Sequence, residues 1–262
     1  MRDLAAFGPF FAIETHPPDS LPQQPWHVMS ELVEDPDVLL DRVMAVRAAL
    51  ATAGGQAPGA VELRVAASVT HLGLVARLVS PAMAVAVTSG AVLEVDLRNT
   101  WWQRVLGGAF PLSVAQGLPV AQGLPVSHGL SVIQGAGTAP AGPEPTPERL
   151  AGLLAGRVLD GPVRDLLQAT MPLSVSRHVL WGNVASAVNG AASMIAAGQP
   201  VWADRSRAIA SLLLDQPPLC GTSVALASGG FRRRSCCLIY RAAPGAAGAV
   251  CGDCVLSRDP PS

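Results

Sequence analysis

Four cysteines stand close together near the end of the chain. Cys236 and Cys237 are adjacent, thirteen residues separate them from Cys251, and two more precede Cys254. Thiolates are soft ligands that select zinc or iron-sulfur clusters over hard cations, and four of them are the usual complement of a [2Fe-2S] centre. Structural zinc sites draw their ligands as C-x(2-4)-C pairs, because the intervening residues let both sulfurs turn toward one ion. Adjacent side chains in extended backbone point apart, which suits a two-iron rhomb better than a single ion. Spacing leaves both metals open and favours the cluster. A dithiol redox pair in CGDC would need a βαβ context that this terminal loop lacks. The fifth cysteine, Cys220, lies outside the pattern and reads as a buried small hydrophobe.

Other residues offer weaker chemistry. Arg232, Arg233, Arg234 and Arg241 surround the cysteine pair in sequence. Their charge would favour the reduced form of an anionic, thiolate-bound centre, or attract an anionic ligand or an acidic partner; the alternative is a solvated basic loop. His178, Trp181 and Asn183 form a candidate substrate surface, although Trp181, about one turn from His178, is equally placed for the core. Trp101 and Trp102 read as core anchors before pocket residues. Glu31, Glu34, Asp35 and Asp37 read as favourable charges at a helix start rather than as paired acid and base.

The elements that must position these residues are mostly helical. Asp35 and Pro36 read as an N-cap and first helical residue, with Leu39, Val43, Val46 and Leu50 at helical spacing and Gly54–Gly55 as the stop. A second helix is expected over Val61–Val79, a third from Pro81 to about Thr88, and a strand over Ala91–Leu97. Four hexapeptides, SVAQGL, PVAQGL, PVSHGL and SVIQGA, fill Ser113–Ala136. Four copies are too few for a stacked β-helix and read as an expanded loop or irregular strand, with His128 as a repeat variant. Residues 139–147 are Pro-rich and read as a linker between an N-terminal α/β region, 1–138, and a helical C-terminal region, 148–262. Helices are expected there near Glu148–Leu159, Pro162–Thr170, Ser176–Ala197 and Val201–Leu214. A short strand at Ser223–Ala227 and a turn at Gly229–Gly230 then lead into a cluster-binding segment, 231–256. The fold class is therefore α+β: predominantly helical, with a short central sheet and a C-terminal cysteine-rich loop.

Composition narrows the partners. The chain has 262 residues, half of them hydrophobic and 14% charged, which suits a large core. A net charge of −1 and the lack of any recognisable motif make nucleic acid an unlikely partner class. All the basic residues are Arg, a bias that carries no functional weight by itself. The start, Met1 to Pro9, lacks a signal-peptide pattern, so a cytoplasmic protein is expected. The most hydrophobic stretch, Leu78–Leu93, is interrupted by Pro81 and Gly90 and is shorter than the roughly 20 residues a spanning helix needs, so no transmembrane segment is expected. The glycines Gly135, Gly137 and Gly142 lack the flanking strand and helix of a dinucleotide site.

The residues RRRSCCLIYR and CGDC resemble the ferric iron reductase family of the FhuF type. Weaker similarity runs through HVLWGN, His178–Asn183, and SVTHLGLVARLVSPAM, Ser68–Met83, so that it covers most of the chain from about Ser68, apart from the repeats. The resemblance implies a cytoplasmic [2Fe-2S] protein that reduces ferric hydroxamate siderophores, with Cys236, Cys237, Cys251 and Cys254 as the ligands in order. The family pattern is C-C-x10-C-x2-C. This chain has three extra residues between the pairs, which should fall within Pro244–Ala249. With no flavin or nicotinamide motif, electrons would come from a separate donor, a ferredoxin or a flavin protein.

Overall fold

The computed structural model describes residues 4–116, 120–121, 144–226, 230–246, 248 and 250–257. Most of the hexapeptide tract, including His128, and residues 139–143 of the Pro-rich stretch lie outside the described residues.

The N-terminal part opens with two short strands, β1 (Glu14–His16) and β2 (Trp26–Val28), and one helical turn, α1 (Glu31–Glu34). Helix α2 (Pro36–Ala53) starts as its sequence dictates: the Asp35 side chain accepts from the Asp37 N–H, and Pro36 occupies a first-turn position where no N–H is missed. Strands β4 (Thr100–Gln103) and β5 (Leu112–Ala115) complete a four-stranded sheet in the order β1-β5-β4-β2. β1 runs parallel to β5, and the other pairs are antiparallel, with Trp101 opposite Ser113. Of the two expectations for the repeats, loop or irregular strand, Ser113–Ala115 at the start of the first hexapeptide takes the strand form, in buried sheet. Trp102 is fully buried and Trp101 stacks on His16 at 3.6 Å, so both tryptophans belong to the interior.

Two expectations fail in the middle of the chain. The segments on either side of Pro81 form one helix, α3 (Leu63–Ser89), which runs through the proline and ends at Gly90 in the left-handed conformation. An interior proline costs a helix about 3 kcal/mol. Here Leu78, Val79, Pro81, Ala82 and Met83 are all buried, and burial of side chains of this kind is worth a similar amount for each large one. α3 is long and apolar enough to cross a membrane, but 67% of its most apolar window is buried in the fold, as befits a core helix. The expected strand over Ala91–Leu97 shrinks to β3 (Val92–Leu93), paired with β6 (Val120–Ala121), because the Asp96 side chain caps a 3-10 turn at Leu97–Asn99.

After Glu144, the Thr146 side chain accepts from the Arg149 N–H and Pro147 opens α4 (Pro147–Leu154). The helical path continues through a wide, kinked turn at Ala155–Val163 into α5 (Arg164–Thr170). α6 (Arg177–Gly198) packs along α3, and α7 (Ala203–Asp215) lies against α4 and α6. The main core takes Leu74, Leu78 and Met83 from α3 together with Leu180, Val184 and Val188 from α6. A final hairpin, β7 (Ser223–Ala225) and β8 (Phe231–Arg233), feeds the cysteine segment. Cys220 is exposed rather than buried, since the chain leaves α7 at the surface before that hairpin begins.

Candidate metal centre

The cysteine segment folds back on itself in two tight turns. Leu238 adopts a left-handed backbone with φ 70°, which reverses the chain just after Cys237 and leads into a 3-10 turn at Ile239–Ala242. The second turn is closed by the Cys254 N–H donating to the Cys251 carbonyl at 3.1 Å. Backbone hydrogen bonds join the two: Arg233 N–H donates to the Asp253 carbonyl at 3.0 Å, and Gly248 N–H donates to the Tyr240 carbonyl at 3.0 Å. The longer interval between the cysteine pairs contains a turn at Pro244–Ala246.

The sulfurs of Cys237 and Cys251 lie 3.5 Å apart. Cys237 and Cys254 are buried, while Cys236 and Cys251 are partly exposed. Backbone N–H groups are aimed at the sulfurs: Leu238 N–H donates to Cys236 Sγ and Leu256 N–H to Cys254 Sγ, each at 3.3 Å. The hydrogen bond shared with Cys251 brings the Cys237 thiol down to about 6, helped by the Ile239 N–H and the Arg233 charge. The same shared bond pushes the Cys251 thiol up, as do burial and the nearby Asp253 carboxylate. Burial raises Cys236, as do the neighbouring Cys237 and Cys254, while the Leu238 N–H and Arg233 act against them.

This donor set fits a [2Fe-2S] cluster. The Cys237 and Cys251 sulfurs meet, N–H groups point at the Cys236 and Cys254 sulfurs, and a guanidinium stands close enough to favour thiolate; these are the features that stabilise an anionic iron-sulfur centre. Among the described residues, no group of three or more His, Cys, Asp or Glu side chains is gathered tightly around one point.

Two platforms clamp the loop. On one side, the buried Arg233 side chain donates from Nη2 to Asn183 Oδ1 at 2.7 Å and to the Val179 carbonyl at 3.3 Å, both on α6. Asn183 Nδ2 donates to the Ser68 carbonyl at 3.0 Å, and Ser68 Oγ donates to the Cys237 carbonyl at 2.9 Å. The relay closes a ring from α6 through α3 to the cysteine loop. His71 is enclosed beside it, its Nδ1 in a long 3.5 Å contact with Asn183 Nδ2; burial and the Arg233 charge lower it to about 3, so it is neutral. Ser186 Oγ donates to the Asp253 carboxylate and pins the CGDC turn to α6. Gly182 permits the approach, because a Cβ there would lie 2.1 Å from Ser235 Oγ. On the other side, Leu238, Ile239 and Ala242 pack on Leu50, Ala51, Val61 and Val65 in a small separate core. Gln56 Nε2 donates to the Ala242 carbonyl, and Arg241 pairs with Glu62.

The four arginines thus part company. Arg233 is interior and structural to the loop, Arg241 is held by Glu62, and Arg234 is exposed with Nε donating to the Ser223 carbonyl. Arg232 lies on β8, partly exposed. His178, Trp181 and Asn183 form no common surface. His178 is exposed, Trp181 is buried under the Arg164 guanidinium at 5.5 Å, and Asn183 is fully buried in the relay. Helical spacing turns Asn183 inward, so its part is to hold Arg233 and not to face a substrate. Ser68, Gly182 and Ser186 escaped the reading of the sequence, although Ser68 and Gly182 stand inside the two upstream segments that carried the family resemblance.

Residues 233–256 match the family model described as the FhuF 2Fe-2S C-terminal domain. The matched segment runs from Arg233 to Leu256 and includes all four cysteines, so the centre is a [2Fe-2S] centre and the likeness to the FhuF type rests on the metal-binding end of the chain. No curated protein and no solved structure matches the chain.

Proposed function

We propose that the protein is a ferric-siderophore reductase, which frees iron from hydroxamate chelates in the cytoplasm by reducing it to the ferrous state. Siderophores hold ferric iron through hard oxygen donors, and the larger, softer ferrous ion is held far less tightly, so one-electron reduction is a release step. When bound, a [2Fe-2S] cluster supplies such single electrons. The observation that carries the reading is the uneven exposure of the four thiols. Cys237 and Cys254 are buried, with the Cys237 backbone held by Ser68 of α3, while Cys236 and Cys251 are partly exposed, so an external chelate can approach the exposed pair.

The chain's residues prepare this side. Arg233 and the N–H groups of Leu238, Ile239 and Leu256 compensate negative charge at sulfur, which favours the reduced form and also the binding of anionic ligands nearby. The electron donor would be a separate ferredoxin or flavin protein.

The reading is tested by mixing the dithionite-reduced, desalted holoprotein anaerobically with ferric hydroxamate chelates and a ferrous trap. About one ferrous ion per chain is expected, as the centre passes single electrons. The trap is needed because each ~59 mV of unfavourable potential costs tenfold in a one-electron equilibrium. Reduced protein that persists across the chelates, yet is oxidised at once by a ferredoxin, would replace this reading with that of an electron carrier.

A further inference from the structure

A cavity of about 280 Å³ lies between α2, α3 and the loop joining β4 to β5, away from the cysteine sulfurs. Its wall is almost entirely apolar, with Leu50, Leu74, Leu106 and Phe110 among the lining residues. Two polar side chains break that wall. Arg42 is 9% exposed and Thr70 is 4% exposed, and Arg42 Nη1 and Thr70 Oγ1 are both buried without a hydrogen-bond partner. Among the described residues Arg42 pairs with no carboxylate. Its charge is met only by the faces of Trp102 and Phe110, at 5.4 and 5.6 Å. A second guanidinium, Arg104, lies 6.0 Å from the same Trp102 ring, so the neighbourhood adds positive charge rather than cancelling it.

A buried cation is ordinarily paired, because ring faces recover only part of what desolvation takes away. A site with this shape and these unmet donors lacks an anion carried on an apolar body. The volume is close to the lower bound of about 300 Å³ for small-molecule pockets, and cavities of roughly 150 Å³ already admit a benzene-sized ring.

We propose that this cavity binds a small aromatic or aliphatic carboxylate, with the carboxylate received by Arg42 and Thr70 and the apolar body lying between α2, α3 and Phe110. The inference is independent of the reductase reading, since it concerns a different cavity. It does reach the cysteine loop. Leu50 lines the cavity and also packs in the small core that holds Leu238 and Ile239, directly after Cys237. Occupancy should therefore register at the centre as a change in its visible circular dichroism.

The test is calorimetric titration of the holoprotein with benzoate, and with benzyl alcohol and acetate as probes lacking the charge or the ring. Benzoate should bind saturably at one site per chain, and at least tenfold more tightly than either. Arg42→Met should reduce benzoate to the level of benzyl alcohol. Gly73→Leu should abolish binding of both: Gly73 lines the cavity, a Cβ there meets nothing within 4 Å, and leucine suits the helix better than glycine. This second variant keeps Arg42 and decides the matter even if Arg42→Met fails to fold. Absence of saturable benzoate binding, equal binding of benzoate and benzyl alcohol, or benzoate binding that survives Gly73→Leu unchanged would each overturn the proposal.

Discussion

Arg77 and Arg42 lie at the same Phe110 ring, each with its guanidinium carbon 5.6 Å from the ring centre, yet their surroundings are opposite. Arg77 is 1% exposed, and all three of its donor nitrogens are answered by backbone carbonyls: Phe110 at 2.9 Å, Phe10 at 2.5 Å and Ala12 at 2.8 Å. It ties α3 to the N-terminal loop and to the segment just before β5. Arg42 shares the ring and is 9% exposed, yet among the described residues its buried Nη1 finds no acceptor. Burial alone therefore does not mark an arginine as structural; what separates the two is whether the fold itself supplies the partner. Arg233 stands between them. One edge of its guanidinium is bonded to α6, and among the described residues Nε and Nη1 have no partner.

The largest effect should come from removing the satisfied arginine. Arg77→Met leaves the buried Phe110 carbonyl and the part-buried Phe10 and Ala12 carbonyls without this donor, a penalty of about 1–3 kcal/mol for the buried one and less for the others, so a total loss of roughly 3–5 kcal/mol is expected in urea unfolding. Arg42→Met strips no protein group of a partner and should change stability by less than about 1 kcal/mol in either direction. Equal losses in the two variants would break the comparison.

Arg233→Met should have an intermediate effect with a distinctive signature. Asn183 Oδ1 and the Val179 carbonyl lose a donor, which costs on the order of 2 kcal/mol. Loss of the cation beside the thiols should also lower the midpoint potential of the centre by about 60 mV, the equivalent of roughly 1.4 kcal/mol in a one-electron couple, measured by EPR-monitored redox titration. Arg233→Lys should restore part of the potential and less of the stability, since an ammonium keeps the charge but not the fork of donors. An unchanged potential in Arg233→Met would confine that residue to a structural role.

The smallest effect at neutral pH belongs to His71, whose neutral ring sits beside the relay. Its pKa is about 3 in the folded protein against 6.5 in the unfolded chain, so the unfolded state binds the extra proton on the acid side. The contribution of the neutral ring is fully present above pH 6.5 and is lost as pH falls toward 3. His71→Phe should remove that part of the acid dependence, narrowing the difference in unfolding free energy between pH 7 and pH 4 by about 1–3 kcal/mol. Parallel pH profiles for wild type and variant would show that the ring is not buried in its neutral form.

Much of this organisation was legible in residue types and spacing. The caps at Asp35 and Thr146 declared their helices, because a side-chain acceptor followed by proline satisfies local donors whatever lies elsewhere. The four cysteines and their soft-metal chemistry were equally open to view, as were the helical predominance and the small sheet. The break expected at Pro81 was not found, since local propensity was outweighed by burial along α3. Cys220 came out exposed because its surroundings depend on where the chain leaves α7, a matter of packing that composition does not encode.

The sequence by itself determined the donors, four thiols and a run of arginines beside them, and helices apolar enough to bury one another. Only the tertiary structure decided which of those groups face each other. It chose Arg233 from its neighbours by turning it toward Asn183, joined Ser68 to Cys237 across 169 positions, and left Arg42 Nη1 without an acceptor among the described residues. The physical reason is range. Caps and turns are satisfied within a few residues of chain, whereas a buried charge is satisfied or stranded by whatever distant backbone the packing brings beside it.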